Sequence, residues 1–319
     1  MINKYSKIFI TGHKGLVGSS VYSLLKRKGF KNLIIANRKQ LNLLDTKKVE
    51  KFFKKKKIEI VINCAAKVGG ILANSSNPVE FFYENVQMQN NLLITASNQK
   101  VKKFIYLGSS CIYPKNTKTP IKEDQLLTGK LEKTNEAYAL AKISGIKLSE
   151  YLFYQKKLNV ICVMPTNLYG IDDNFDNFSS HVIPGMISKF NLSKKHKKNF
   201  VELLGSGKPL REFLFNDDLS EAIILLLMSS QKKILNITKN KFPIFNVGTG
   251  KNISIKNLSK LIKKTINYDG KINFNSSFPD GTKRKNLNSN RIKKLGWKPK
   301  IKLEDGIKLI LEHKKFKKE

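Results

Sequence analysis

Near the N-terminus, a loop with three glycines joins an apolar run to a predicted helix. The run at 7–11 is typical of a buried strand, and the helix is expected to end near Gly29. The loop at 11–18 has the spacing G-x-x-G-x-x-G, which allows a tight turn and lets backbone N–H groups approach a pyrophosphate at the start of the helix. The pattern therefore predicts a dinucleotide-binding turn. The residues expected to line it are Gly12, His13, Lys14, Gly15, Leu16, Val17 and Gly18.

Short apolar runs alternate with helical stretches through the first half of the chain. This alternation is typical of parallel βαβ units with helices on both faces of one sheet. Further strands are predicted at 33–36, 60–66, 103–107 and 159–163, and long helices at 80–99 and 136–155. The predicted fold class is therefore α/β, a Rossmann-type doubly wound parallel sheet that binds its ligands at the carboxyl ends of the strands.

The regular pattern weakens beyond about residue 170. We expect residues 1–170 to form the dinucleotide-binding domain and residues 171–319 to form mainly a smaller, irregular substrate-binding domain. Segments at 214–229 and 244–250 are expected to return to the first domain.

The residues after the second predicted strand bear on the choice of cofactor. Chains that bind NAD place an acid there, about 20 residues beyond the glycines, to hold the ribose 2′-hydroxyl. Here the stretch 36–39 reads Ala-Asn-Arg-Lys and has no acid. Arg38 can clamp a 2′-phosphate, with Lys14 or Lys39 adding charge, although an ordinary surface role for Arg38 is the alternative. The sequence favours NADPH/NADP+.

Tyr138 and Lys142 stand four residues apart on a predicted helix and so share one face. A nearby lysine is expected to lower the pKa of the phenol, which then exchanges a proton with a carbonyl oxygen or hydroxyl. Ser109, at the end of the fourth predicted strand, is placed to hydrogen-bond the same oxygen. With the glycine loop, this combination indicates hydride transfer with a nicotinamide.

These motifs resemble the extended short-chain dehydrogenase/reductase family. Further segments are similar to members that convert GDP-4-keto-6-deoxy-D-mannose by epimerisation at carbons 3 and 5 and NADPH-dependent reduction at carbon 4. The similar segments are 65–71, 108–114, 164–170, 180–184, 211–213 and 278–282.

The resemblance implies roles for residues beyond the Tyr-Lys pair. Epimerisation beside a ketone needs one group to remove a proton and another to return it on the opposite face. The resemblance makes Cys111 the base and His181 the acid, whereas a buried small residue and a satisfied loop histidine are the alternatives. The remaining implied cofactor contacts are Leu107, Gly108, Ser109, Lys142, Pro165, Thr166, Asn167, Leu168 and His181. The implied substrate contacts are Lys189, Arg211, Asp280 and Leu204, the last standing where relatives often have Trp.

Cysteine usage and charge narrow the function further. Three widely spaced cysteines argue against a disulfide framework or a zinc site, so no metal is expected. The net charge of +36 comes mostly from scattered lysines, with only five arginines, which speaks against specific nucleic-acid binding. No run reaches the roughly 20 apolar residues of a membrane span, and the N-terminus lacks a signal-peptide pattern, so a cytoplasmic protein is expected.

Other readings remain open at this stage. A 4-epimerase would favour an acid after the second strand, and a 4,6-dehydratase would place Asp-Glu at 110–111, where this chain has Ser-Cys. An NADP-binding regulator or an RNA-associated protein is the non-enzyme alternative. The resemblance also implies a homodimer through the helices at 80–99 and 136–155.

Overall fold

The computed structural model describes residues 2–176, 180–278, 280 and 282–313. Pro279 and Gly281, two residues of the similar segment at 278–282, lie outside the described residues. The strands are β1 (Ile8–Thr11), β2 (Leu33–Ile34), β3 (Ile60–Asn63), β4 (Lys103–Leu107), β5 (Val160–Pro165), β6 (Asn167–Tyr169), β7 (Phe200–Leu204), β8 (Leu210–Arg211), β9 (Phe213–Phe215), β10 (Ile244–Val247), β11 (Ile253–Ser254), β12 (Lys271–Asn275) and β13 (Arg284–Lys285). The helices are α1 (Leu16–Arg27), α2 (Thr46–Lys56), α3 (Ile71–Ser76), α4 (Pro78–Asn98), α5 (Glu136–Lys156), α6 (Val182–Lys195), α7 (Asn216–Met228), α8 (Gln231–Thr238), α9 (Ile255–Ile266), α10 (Asn290–Lys293) and α11 (Leu303–Glu312).

A six-stranded parallel sheet in the order β10-β5-β4-β3-β1-β2 forms the centre of the fold. Because successive side chains of a strand point to opposite faces, Ile8 and Ile10 pack towards α1 and α7, whereas Phe9 packs towards α2, α4 and α5. Both faces are covered, which explains why the strands are apolar without interruption. The predicted α/β class and doubly wound parallel sheet are confirmed.

A third cluster of buried side chains lies among the later elements. Helices α6, α9 and α11 contribute Ile187, Phe190, Ile262 and Ile310 to it. The sheets here are small: β7 pairs with β12, β8 pairs with β11 and β13, and β6 pairs with β9. The chain also returns to the central sheet, since α7 packs beside α1 and β10 pairs with β5.

Two strands are shorter than the sequence predicts. The strand expected at 60–66 ends at Asn63, because the Asn63 side chain accepts a bond from Thr11 Oγ1 and that same oxygen accepts from Ala65 N. Side-chain bonds therefore replace the backbone ladder beyond this point. The strand expected at 33–36 ends at Ile34, and a turn closed by Asn37 begins soon after it.

None of the described helices is both long enough and apolar enough to cross a membrane.

Candidate active site

The glycine loop packs tightly against the end of β3. Gly12 has a φ of +65°, and a Cβ there would lie 2.8 Å from Ala65 N. A Cβ on Gly18 would lie 2.1 Å from Gly12 O, so α1 closes on the loop only because this position has no side chain. The first turn of α1 holds no acid, and Gly15 caps it without a side chain. Its backbone N–H groups are therefore available to an anion, as a pyrophosphate cradle requires.

The other residues of the loop lie at or near the surface. Lys14 is exposed, and His13 is half-buried. Burial lowers the pKa of His13, and the charge of Lys14 lowers it further. An imidazole that stays neutral here leaves the positive charge of the loop to Lys14 and the helix terminus.

Arg38 lies in a turn that two reciprocal hydrogen bonds close. Asn37 N donates to Gln40 Oε1, and Gln40 N donates to Asn37 Oδ1, both at 3.0 Å. Arg38 and Lys39 occupy the exposed centre of this turn. Because β2 lies parallel and next to β1, this turn lies at the carboxyl ends of the strands, as the glycine loop does. This arrangement fits the 2′-phosphate of an NADP-type cofactor.

The structure brings Tyr138, Lys142 and Ser109 together at the carboxyl end of β4. Lys142 is only 4% exposed; its Nζ donates to Leu107 O at 2.9 Å and lies 5.8 Å from the centre of the Tyr138 ring. Burial lowers the pKa of Lys142 to about 8, although Cys64 and Cys162 oppose this shift. The Tyr138 phenol is hydrogen-bonded to Ser109.

The prediction that Lys142 lowers the pKa of the Tyr138 phenol is wrong. Burial raises the pKa of the Tyr138 phenol, and nearby Cys111 raises it further against the opposing bond with Ser109. The Lys142 ammonium is engaged by the carbonyl of Leu107 and not by the phenol oxygen. Tyr138 is therefore held as the neutral phenol, which is the form that donates a proton.

Cys111 lies one short 3-10 turn beyond β4, at residues Ser110–Ile112. Ser109 Oγ accepts from Cys111 N at 3.2 Å, which ties the hydroxyl and the thiol to one turn. The half-buried Sγ accepts from Asn135 Nδ2 at 3.2 Å. Arg211 and Tyr138 are both close enough to Cys111 to interact with its charge. The expected base and the expected proton donor are thus neighbours.

His181 occupies the N-cap position of α6 beside a buried carboxyl, although its side chain makes no capping bond. Its Nδ1 lies 4.0 Å from Oδ1 of Asp173. The His181 side chain is 48% exposed, and its partial burial lowers the pKa of the imidazole. Burial raises the pKa of Asp173 to about 7, although the hydrogen bond from Asn174 N lowers it. The other carboxyl oxygen, Oδ2, has no hydrogen-bond partner among the described residues.

The segment after β5 is held by the backbone of Glu212. Thr166 Oγ1 and Asn167 Nδ2 both donate to Glu212 O. The Glu212 carboxylate accepts from Gly250 N and Leu287 N, and burial nevertheless raises its pKa. These bonds fix the strip expected to border the cofactor. That strip is Pro165, Thr166, Asn167 and Leu168.

The four residues expected to bind substrate do not form one cluster. Arg211 Nη1 donates to Thr282 O at 2.5 Å, and the guanidinium lies within range of the charge on Asp280. The Asp280 carboxylate accepts from Ser206 N and Oγ, and these bonds lower its pKa. Lys189 Nζ donates to Glu202 O, and Leu204 is exposed on β7. Asp280 therefore braces a turn next to Arg211.

Sequence reasoning missed two polar neighbours of the site, Asn135 and Asp173. Asn135 has a weak local signal, because it directly precedes the helix of Tyr138. Asp173 has none, since its relation to His181 depends on how the chain folds back before α6.

Comparison with known proteins points to one family. The model of the NAD dependent epimerase/dehydratase family matches residues 8–239. The chain is 44% identical to a putative GDP-L-fucose synthase 2 of Arabidopsis thaliana, over 98% of this chain and 92% of that one. It is 43% identical to the GDP-L-fucose synthase of Escherichia coli strain K12, over 94% of each chain. A solved GDP-mannoheptose C4 reductase from Campylobacter jejuni with NADP bound superposes with a TM-score of 0.88 at 35% identity, covering 98% of this chain and 99% of that chain.

Proposed function

The chain belongs to the NAD dependent epimerase/dehydratase family, and we propose that within it the protein is a GDP-L-fucose synthase. It converts GDP-4-keto-6-deoxy-D-mannose to GDP-L-fucose by epimerisation at carbons 3 and 5 and reduction at carbon 4. The observation that carries this proposal is the thiol of Cys111 beside the phenol of Tyr138. A reductase alone needs the phenol, whereas an epimerase also needs a group that removes a proton from carbon.

Cys111 and His181 carry out the epimerisation in this proposal. The Cys111 thiolate removes the proton from carbon 3, which the neighbouring ketone makes acidic, and the electron pair moves onto the ketone oxygen to give an enolate. The His181 imidazolium returns a proton to carbon 3 from the opposite face. The same exchange at carbon 5 follows, after water has restored both groups to their starting protonation states.

Tyr138 and Ser109 complete the reduction. NADPH, held by the glycine loop and Lys142, would supply the hydride for carbon 4. The neutral Tyr138 phenol donates its proton to the oxygen on carbon 4, while the Ser109 hydroxyl holds that oxygen by a hydrogen bond. The raised pKa of Tyr138 suits this direction, because the phenol is still protonated when the oxygen becomes negative.

The residues present fit an NADP-type cofactor. The cradle around Gly12 and Gly18 excludes side chains and presents free backbone N–H groups, and the turn at Arg38 presents a cation where a 2′-phosphate would lie. The Campylobacter jejuni reductase, at 35% identity, binds NADP. Lys142 would hold the nicotinamide ribose, and Pro165 to Leu168, with His181, would border the nicotinamide.

The GDP moiety is assigned to the second half of the chain. In this proposal Arg211 and Lys189 would supply positive charge for the diphosphate, and Asp280 and Leu204 would contact the guanosine or sugar. In this proposal residues 1–170, with 214–229 and 244–250, hold the cofactor, and residues 171–319 mainly hold the substrate. The proposal also includes a cytoplasmic location for the protein.

The proposal also includes a homodimer built on α4 and α5. These helices pack against each other, and their outer faces carry large apolar side chains in regular stripes. The residues of the stripes are Val79, Tyr83, Ile94, Leu140 and Tyr151.

A simple C4 reductase is the second candidate. The similarity to the Campylobacter jejuni C4 reductase favours it, because such an enzyme also needs Ser109, Tyr138 and Lys142. The two candidates differ in whether protons at carbons 3 and 5 exchange with solvent.

The test is to incubate the protein with GDP-4-keto-6-deoxy-D-mannose and NADPH in deuterated water. Loss of NADPH absorbance together with deuterium at carbons 3 and 5 is expected. Cys111→Ser should strongly reduce the deuterium incorporation. Oxidation of NADPH without deuterium would favour the simple reductase, and turnover of a UDP- or dTDP-linked keto sugar alone would refute the substrate.

A further inference from the structure

The side chain of Asn135 is turned away from the helix that it precedes. Asn135 is the N-cap residue of α5, a position where an asparagine oxygen ordinarily accepts a hydrogen bond from the first turn. Here no such bond is made. The amide instead gives its Nδ2 proton to Cys111 Sγ at 3.2 Å, which leaves the buried Oδ1 without a hydrogen-bond partner among the described residues.

This arrangement needs an explanation, because a buried carbonyl oxygen without a partner is unfavourable. A rotation of the Asn135 amide by half a turn would bring Oδ1 to the sulfur and turn Nδ2 away. A thiol S–H can donate to that oxygen, whereas a thiolate can only accept from Nδ2. The two amide orientations therefore suit the two protonation states of Cys111.

We propose that Asn135 is the positioning residue of the base: its amide donates to the Cys111 thiolate before proton abstraction and accepts from the thiol afterwards. The proposal rests on the proposed function for its role in turnover, but the contact itself concerns only the free protein. An amide suits this task because it holds a donor and an acceptor on one plane and carries no charge.

Other titratable and charged groups interact with Cys111 as well. Tyr138 faces it from α5, and Arg211 faces it from β8. Glu132 interacts electrostatically with Arg211, and Glu136 begins the first turn of α5. Arg211 supplies long-range attraction for a thiolate, whereas Asn135 supplies its hydrogen-bond donor.

Two variants of similar size separate this role from helix capping. Asn135→Asp keeps a good N-cap residue but offers the sulfur only acceptor oxygens and a negative charge, whereas Asn135→Leu removes both donor and acceptor. The rate at which iodoacetamide alkylates Cys111 near neutral pH, followed by peptide mass spectrometry, should fall in the order wild type, Leu, Asp. We expect a drop of about tenfold for Asp, since charge-assisted bonds are the stronger class. Thermal stability should follow a different order, with Asp at or near wild type and Leu lowest.

Asn77→Asp is the matched control, because Asn77 is the N-cap of the neighbouring long helix α4 and is remote in sequence from Cys111. It should leave alkylation of Cys111 unchanged. In turnover, deuterium incorporation at carbons 3 and 5 should follow the alkylation order, and the effect of Asn135→Asp should vanish in a Cys111→Ser background.

Alkylation that is slower in Leu than in Asp, or equally fast in all three proteins, would overturn the proposal. Because alkylation needs no substrate, that result is separable from a failure of the proposed function, in which the alkylation order holds but no keto-sugar nucleotide is turned over.

Discussion

At the scale of single residues, Tyr138 and Cys111 divide the chemistry of one small site. Burial keeps the phenol protonated, and Cys111 adds to this effect, so the two groups favour opposite proton movements. The phenol is suited to give a proton to oxygen, and the sulfur is suited to take one from carbon. The epimerase and reductase activities should therefore be separable by substitution.

Tyr138→Phe tests that separation. The variant keeps the ring but loses the proton donor, so NADPH oxidation should fall by about 10²- to 10⁴-fold. Deuterium incorporation at carbons 3 and 5 should stay close to wild type, because Cys111 and His181 are intact. The two rates are measured in one reaction by absorbance and by mass spectrometry. Loss of both activities together, in a folded variant, would contradict the division of roles.

Asp173 makes folding stability depend on pH. Burial raises its pKa to about 7 in the folded protein, whereas an unfolded aspartate titrates near 3.9. The folded state thus binds the carboxyl proton of Asp173 more tightly than the unfolded state does. This proton's contribution to the free energy of unfolding is complete below about pH 4 and is lost as the pH rises towards 7. The upper limit of this loss is roughly 4 kcal/mol at 1.36 kcal/mol per pKa unit.

Asp173→Asn should remove this contribution. The free energy of unfolding, measured by urea denaturation at about pH 5 and about pH 7.5, should fall less with rising pH in the variant than in wild type. His181 opposes the effect, since burial lowers its pKa, but it is present in both proteins. Equal pH dependence of the two proteins would show that Asp173 does not titrate in this range.

At the scale of elements, Lys103 links β4 to the end of α7. Its buried Nζ donates to Leu227 O at 2.8 Å and to Ser229 O at 2.7 Å. The last carbonyls of a helix have no partner within it, and a cation there also interacts favourably with the helix dipole. Lys103 therefore ends α7 from a neighbouring strand, and it does so although burial lowers its pKa to about 8.

Lys103→Met should destabilise the fold by about 2–4 kcal/mol, because the methionine leaves those carbonyls buried without donors. Lys102→Met is the control, since Lys102 is exposed and pairs with Glu59 at the surface; its cost should stay below about 1 kcal/mol. Both values come from urea denaturation. Similar costs for the two variants would mean that water reaches the end of α7.

The same elements show what the sequence can predict. Uninterrupted apolar runs located the sheet, because strands buried on both faces have that pattern in any parallel α/β fold. The end of β3 was missed, since it depends on a bond between Thr11 and Asn63 that joins two distant segments. Asn135 was missed for the same reason: its partner, Cys111, lies 24 residues away in the chain. The pKa of Tyr138 was predicted with the wrong sign, because burial raises it and the Lys142 ammonium is bonded to Leu107 O instead of to the phenol.

At the scale of the whole molecule, α4 and α5 present an apolar surface beside the active site. Tyr83 and Ile94 on α4, and Leu140 and Tyr151 on α5, are each separated by 11 residues, or about three helical turns, and so lie on one stripe of each helix. Tyr83 is 60% exposed and Tyr151 is 57% exposed. Leaving such an apolar patch in contact with water is unfavourable unless another surface covers it. With Tyr138 and Lys142 facing inward from the same helix, α5 connects the site to this surface.

Tyr83→Glu combined with Tyr151→Glu tests the proposed homodimer. Wild type should elute in light scattering with twice the chain mass of 36.4 kDa, and the double variant should have the mass of one chain, because four charges would be buried at a symmetric interface. Tyr5→Glu, at another exposed tyrosine, should leave the mass unchanged. If wild type itself has the mass of one chain, the stripe does not form a stable dimer. If it is a dimer that survives both charges, the contact lies on a different face.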